Sequence, residues 1–133
     1  MARALAPIVF SLALGLALGP ATRAAAGTLA TPAVGAKDGE FVECTLVNVG
    51  TKAVREALAE LISYDSGVGV VLASSGAPAD LAPNGKTVTT GPAGPGFDPF
   101  VCRFTFKGSG KLLRGNAIVI DGTFDVLDTQ PAF

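Results

Sequence analysis

The chain of 133 residues contains no histidine, no tryptophan, one tyrosine and only two cysteines. Without histidine, Ser-His-Asp and Cys-His catalysis and every histidine-ligated metal centre are excluded. Two cysteines fall short of the four ligands a structural zinc site takes. With Tyr64 the sole tyrosine and tryptophan absent, a stacking platform for sugar is poorly provided. Charge is sparse as well. Asp, Glu, Lys and Arg make up 16% of the chain, without a basic run, which disfavours nucleic acid and an anionic membrane surface as partners. No residue set points to a cofactor or a metal.

What is present begins with an export pattern. Met1-Ala2-Arg3 is a short positive start, an apolar run follows from Leu5 to Gly19, and Pro20 precedes the small residues Ala24-Ala25-Ala26. That order is the order of a cleavable secretory signal, with cleavage expected after Ala26 or Ala24. The apolar run is short against the ~20 residues of a membrane helix; an uncleaved N-terminal anchor is the alternative. Removing residues 1–26 leaves 107, enough for one core, with 8 Lys and Arg against 11 Asp and Glu and a net charge of −3. The destination is the periplasm or the extracellular space, with no membrane association once the signal is gone.

Hydrophobic alternation and turn residues then predict an all-β domain. In Phe41–Val49, Val42, Cys44 and Leu46 share one face and Glu43 and Thr45 the other, the period of a strand with one wet side. Phe100–Lys107 repeats the pattern, with Cys102, Phe104 and Phe106 on one face and Arg103, Thr105 and Lys107 on the other. Asp65-Ser66-Gly67, Pro83-Asn84-Gly85, Gly108-Ser109-Gly110 and Asp121-Gly122 are turns. They separate further strands at Val68–Ser74, Lys86–Thr90, Leu112–Asp121 and Thr123–Leu127. The glycine- and proline-rich 91–99 is expected to be irregular. Residues 53–64 are ambiguous: Val54, Leu58, Leu61 and Ile62 have helical spacing, whereas the turn and β-rich run that follow favour a hairpin strand. About seven short strands make a β-sandwich. The domain is placed at 39–128, between a flexible segment 27–38 and a tail 129–133.

Cys44 and Cys102 each lie on the apolar face of a strand, 58 positions apart. In an oxidising compartment an even count favours a disulfide between them. Free buried thiols and a reactive thiol are the alternatives, the latter lacking any base to activate it. Other patterns are weaker. DLAPNGKT, 80–87, has the ending of a phosphate-binding loop, but Asp80 stands where glycine is needed and Lys86 opens a strand. Asp121, Asp125 and Asp128 match no calcium loop and read as solvated surface. Arg103, Lys107 and Arg114 are candidates to line one sheet face, with solubility the plainer reading.

The stretches ECTLVNVGTK, ELISYDSGVGVVLASSG, LAPNGKTV and FVCRFTFKG with LLRGNAIVID together resemble a group of small exported bacterial proteins. Their shared pattern is a cysteine strand ending in Asn-x-Gly, an Asp-x-Gly hairpin, a proline-glycine turn and a second cysteine strand followed by an arginine-bearing one. The resemblance spans residues 41–121. It implies an antiparallel immunoglobulin-like β-sandwich and a strand rather than a helix at 54–64, and it carries no activity. The tryptophan that packs on the disulfide of antibody domains is missing. The expected function is that of a non-catalytic interaction or structural module with an unidentified protein or cell-surface partner. The alternative functions are a carrier of a small apolar ligand and a carboxylate-based hydrolase. Strand exchange through 27–38 is a further route to assembly.

Overall fold

A computed structural model describes residues 25–95 and 97–133. The expected signal segment, apart from Ala25 and Ala26, lies outside them. Among the described residues the chain is all-β, with ten strands rather than seven: β1 (Ala26–Ala30), β2 (Val34–Lys37), β3 (Phe41–Asn48), β4 (Val54–Ser63), β5 (Val70–Ser74), β6 (Ala79–Leu81), β7 (Lys86–Pro92), β8 (Phe97–Lys107), β9 (Leu113–Ile120) and β10 (Val126–Pro131). They form two antiparallel sheets. The first runs β1-β8-β4-β5, with β2 also on β8 and β6 also on β4; the second runs β10-β9-β3-β7.

The three added strands are β1, β2 and β6, and two sides of the first sheet are each built from a pair of short strands. β1 and β2 lie end to end along one side of β8, from Ala26 opposite Lys107 to Lys37 opposite Phe97. At the break, the Thr31 N–H donates to the Cys102 carbonyl at 3.0 Å and the Cys102 N–H donates to Thr31 Oγ1 at 3.0 Å. Thr31 thereby replaces a ladder rung that the chain skips, and it is buried. Residues 27–38, expected to be flexible, are therefore mostly strand. Their alternation is masked by Pro32 and by small residues that carry little hydrophobic signal. They also fill the edge of their own β8, the position that strand exchange would have offered to another chain. β5 and β6 likewise share one side of β4. The tail also differs from expectation: β10 runs into it, Phe133 exchanges two backbone hydrogen bonds with Ala30, and Ala132 N–H donates to the Gly115 carbonyl.

Residues 54–63 form a strand and not a helix. Ala57, Ala59 and Leu61 point into the core, while β4 pairs with β8 on one side and with β5 and β6 on the other. A helix there would satisfy its own backbone and leave β8 without its neighbour, so the two-sided pairing overrides local propensity. Glu56 sits at φ 50°, at a break in register between Val54 and Ala57, and its N–H donates to Asp80 Oδ1 at 3.1 Å. The glycine- and proline-rich 91–99 is more regular than expected, since β7 continues through Gly91 and Pro92 and β8 starts at Phe97.

The core lies between the sheets. Phe100, Cys102, Phe104 and Phe106 of β8 face Val42, Cys44 and Leu46 of β3, with Ala117 and Val119 of β9 beside them. Each fully buried phenylalanine contributes about 1.5–3 kcal/mol over its exposed state. Small residues on the facing sheet make room for these rings: a Cβ on Gly115 would stand 2.6 Å from Phe104 Cε2. On the outer face of the first sheet, Arg103 Nε meets Glu60 Oε2 at 2.8 Å across β8 and β4.

Candidate functional site

The two cysteines form a disulfide that joins β3 of the second sheet to β8 of the first, with Cα atoms 5.5 Å apart. Both residues are fully buried, so the pair is a staple between sheets. It fits an oxidising compartment.

The most heavily bonded side chain in the interior is one that the sequence reading passed over. Asn48, 1% exposed, ends β3. Its Nδ2 donates to the carbonyls of Lys52, Leu81 and Ala82 at 2.8, 3.0 and 3.2 Å, and its Oδ1 accepts the Gly50 N–H at 2.9 Å. Its backbone joins the same knot, accepting from Asn84 N–H and donating to the Gly85 carbonyl. One amide therefore pins the β3–β4 connection (49–53) and the β6–β7 turn (82–85) to the core. The Asn-x-Gly motif and the Pro83-Asn84-Gly85 turn were visible in the sequence; their meeting in space was not. Asn84 has φ 58°, as that turn requires.

Beside Asn48 an open cleft of about 560 Å³ separates the β3–β4 connection from the β8–β9 connection (108–112). Ala53, Val54 and Leu112 supply its apolar lining, and Lys52, Lys107 and Lys111 its charge. Lys107 Nζ is held by Glu56 Oε1 at 2.6 Å. The cleft belongs to a wider asymmetry. Of the eight Lys and Arg in the described residues, six cluster at the Asn48 end of the sandwich: Lys52, Arg55, Lys86, Lys107, Lys111 and Arg114. Six of the eleven acids lie at the Phe41 end, in the turns that hold Asp38, Glu40, Asp65, Asp121 and Asp125, and at Asp98 near the start of β8, against Glu56 and Asp80 at the Asn48 end. Strands of about eight residues hold these ends roughly 25 Å apart, beyond the ~8 Å screening length, so each end presents its own field.

At the acidic end, partial burial raises the pKa of Asp98, helped by the charge of Asp65 and a hydrogen bond to it. This is the one close carboxyl pair among the described residues for which a shift is resolved, and neither carboxyl is in an ion pair among them. Asp121 is shifted the other way: its Oδ1 accepts from Thr123 Oγ1 and from the backbone N–H of Thr123 and Asp125 at 2.7–3.0 Å, which lowers its pKa. The carboxylate thus ties its own turn. Asp128 lies apart from it on β10 and accepts from the Thr129 N–H. Among the described residues no group of three or more acidic or cysteine side chains is arranged to hold a metal ion. Arg103 and Lys107 lie on β8 and Arg114 on β9, so the three do not line one sheet face as expected; Arg114 folds back onto the carbonyls of Lys111 and Leu113.

The remaining feature is an edge. β5 pairs with β4 on one side only, and Val68, Val70, Val71 and Leu72 of this segment are 67%, 53%, 47% and 49% exposed. From Ser66 to Ala79 the chain carries no charge. Most other edges are blunted: β2 by Lys37, β6 by Asp80, β7 by Lys86 and Pro92, and β10 by Asp128 and Pro131; the edge strand β1 carries neither charge nor proline, but its last residue, Ala30, pairs with Phe133. Compared with protein-family profiles, curated proteins and solved structures, the chain matches none.

Proposed function

We propose that the protein is an exported, non-catalytic interaction module that assembles by adding a strand at β5, and that the strand it takes is β5 of a second copy. The observation that supports this is the uncharged, valine-rich edge. Natural sheets protect free edges with charge or proline; among the described strands only the edges β1 and β5 carry neither, and β1 packs its one large apolar residue, Leu29, on the core and ties Ala30 to Phe133, whereas β5 leaves valines exposed. An uncharged partner strand suits it best, because a charged one would lose water without gaining an opposite charge. Two β5 strands meeting antiparallel about a two-fold axis extend the first sheets of two copies into one and cover both sets of valines.

The reading also places the protein outside the cytoplasm, in the periplasm or beyond. The order of residues 1–26 and the disulfide support export. Cleavage after Ala24 is the better-fitting site, since it keeps the Ala25 carbonyl that accepts the Gly108 N–H at 3.0 Å. An immunoglobulin-like core is part of the proposal. β3 pairs with β7, β4 pairs with β8, and the disulfide links β3 to β8, as strands B, E, C and F do in that fold. The outer strands are exchanged relative to it: the first strands flank β8 and the last ones flank β3.

Sedimentation velocity over a concentration series tests the assembly. The expected result is a monomer–dimer equilibrium that Val70→Lys and Leu72→Lys each weaken, while Thr90→Lys on the β7 edge leaves it unchanged. A chain that stays monomeric throughout, or dimers indifferent to both β5 variants, would end the proposal.

A further inference from the structure

The geometry points to a ligand site in the cleft at the Asn48 end: it takes a small amphipathic anion, an alkyl chain carrying one carboxylate or a comparable monoanionic head. The lining divides into two chemistries. Val54 and Leu112, with the bare backbone at Gly50 and Gly108, offer carbon to a tail; Leu112 is 53% exposed in the absence of one. Lys52 and Lys111 offer charge to a head, and neither has an ion-pair partner among the described residues. No carboxylate is among the lining residues, Glu56 standing just outside and paired to Lys107, and the six cations at this end outnumber its two acids, Glu56 and Asp80.

The site is also built in advance of a ligand. The Lys52 carbonyl accepts from Asn48 Nδ2 at 2.8 Å and the Lys111 carbonyl accepts from Arg114 Nη1 at 3.0 Å. Both loops are thus anchored through their backbones while the two ammonium groups remain free to turn. Asn48, at the bottom, has both donor and acceptor occupied and asks nothing of the ligand, so recognition falls to the lysines. Lys107 is engaged by Glu56 and contributes less. The volume of about 560 Å³ falls in the usual range of small-molecule sites, roughly 300–1,000 Å³, and its open side lets a longer chain extend outward. An anionic lipid surface shares the head-group chemistry, but a membrane plane requires a flat patch, and the apolar lining here is recessed between two connections.

The test is a two-dimensional NMR titration of the purified protein with decanoate, decylammonium and acetate, each below micelle-forming concentration. Decanoate is expected to shift saturably the resonances of 49–54 and 107–112, more tightly than acetate, and decylammonium to bind far more weakly. The double variant Lys52→Met/Lys111→Met is expected to weaken decanoate binding roughly tenfold, and Leu112→Ser to weaken it while sparing acetate. Added salt is expected to weaken the wild type and leave the double variant little changed. Equal binding of decanoate and decylammonium would overturn the proposal, because the cleft would then be merely apolar. So would co-sedimentation with vesicles of anionic phospholipid in the absence of saturable decanoate binding, which would make this end a membrane-facing patch. Neither result bears on the β5 edge, which lies outside the cleft.

Discussion

Replacing Asn48 by alanine removes the side chain that holds three segments together. The amide has two N–H donors and one strong acceptor, and they serve the carbonyls of Lys52, Leu81 and Ala82 and the N–H of Gly50. The Lys52 carbonyl lies in a partly exposed connection where water can replace the lost bond. The bonds to Leu81 and from Gly50 are buried, and each group left unpaired there costs ~1–3 kcal/mol. Two such losses, partly relieved by water in the space vacated, amount to about 3 kcal/mol. That is a large fraction of the ~5–15 kcal/mol total for a single domain, and near ~4–5 °C per kcal/mol it lowers the midpoint by ~10–15 °C. Urea unfolding followed by far-UV circular dichroism gives the free energy, and unchanged slope identifies a loss of stability rather than of cooperativity. Asn48→Asp sharpens the experiment. It keeps the size and the acceptor for Gly50 but turns a carboxylate toward the carbonyls, so it is expected to be at least as damaging as alanine. A loss below about 1 kcal/mol for alanine, or an aspartate variant as stable as wild type, would refute the account of Asn48 as a structural knot.

Reduction of the Cys44–Cys102 bond, which closes a separation of 58 residues, is expected to lower stability by about 4 kcal/mol on the chain-entropy estimate; thermal unfolding with and without reductant checks this, and an unchanged midpoint after verified reduction contradicts it. At the acidic end the sign of the pH effect follows from Asp98. Its pKa is raised in the folded chain, so the native state holds this proton more tightly than the unfolded state and the stability gained from it is lost as pH rises through the carboxylate range. Asp98→Asn is therefore expected to raise the melting temperature slightly at neutral pH, with the gain vanishing below the ordinary carboxylate value of 3.8; a gain that persists in acid rules out this origin.

Much of the framework was legible in the sequence because it rests on a period of two. In β3 and β8 the inward positions are apolar except for Asn48 at the end of β3, so Val42, Cys44, Leu46 and Cys102, Phe104, Phe106 announce both their strand and its buried face, and with them the staple. The short edges were not legible. β1, β2 and β6 carry few large apolar residues, and their regularity comes from rungs supplied by a neighbour. β4 had the composition of a helix and became a strand because β8 and β5 required a partner between them. The cleft and the polarity of the sandwich were hidden for a different reason: Lys52 is far in the chain from Lys107 and Lys111 and meets them only where two connections return to the same end.

The sequence by itself determined the class of structure, the turns and the pairing of the two cysteines, since each depends on local alternation, on residue-specific backbone freedom or on compartment. Only the tertiary structure decided the order of strands, the knot at Asn48, the unprotected edge at β5 and the separation of charge between the two ends. These depend on which residues antiparallel pairing brings side by side, and pairing between distant segments is a property of the whole sandwich that no single stretch encodes.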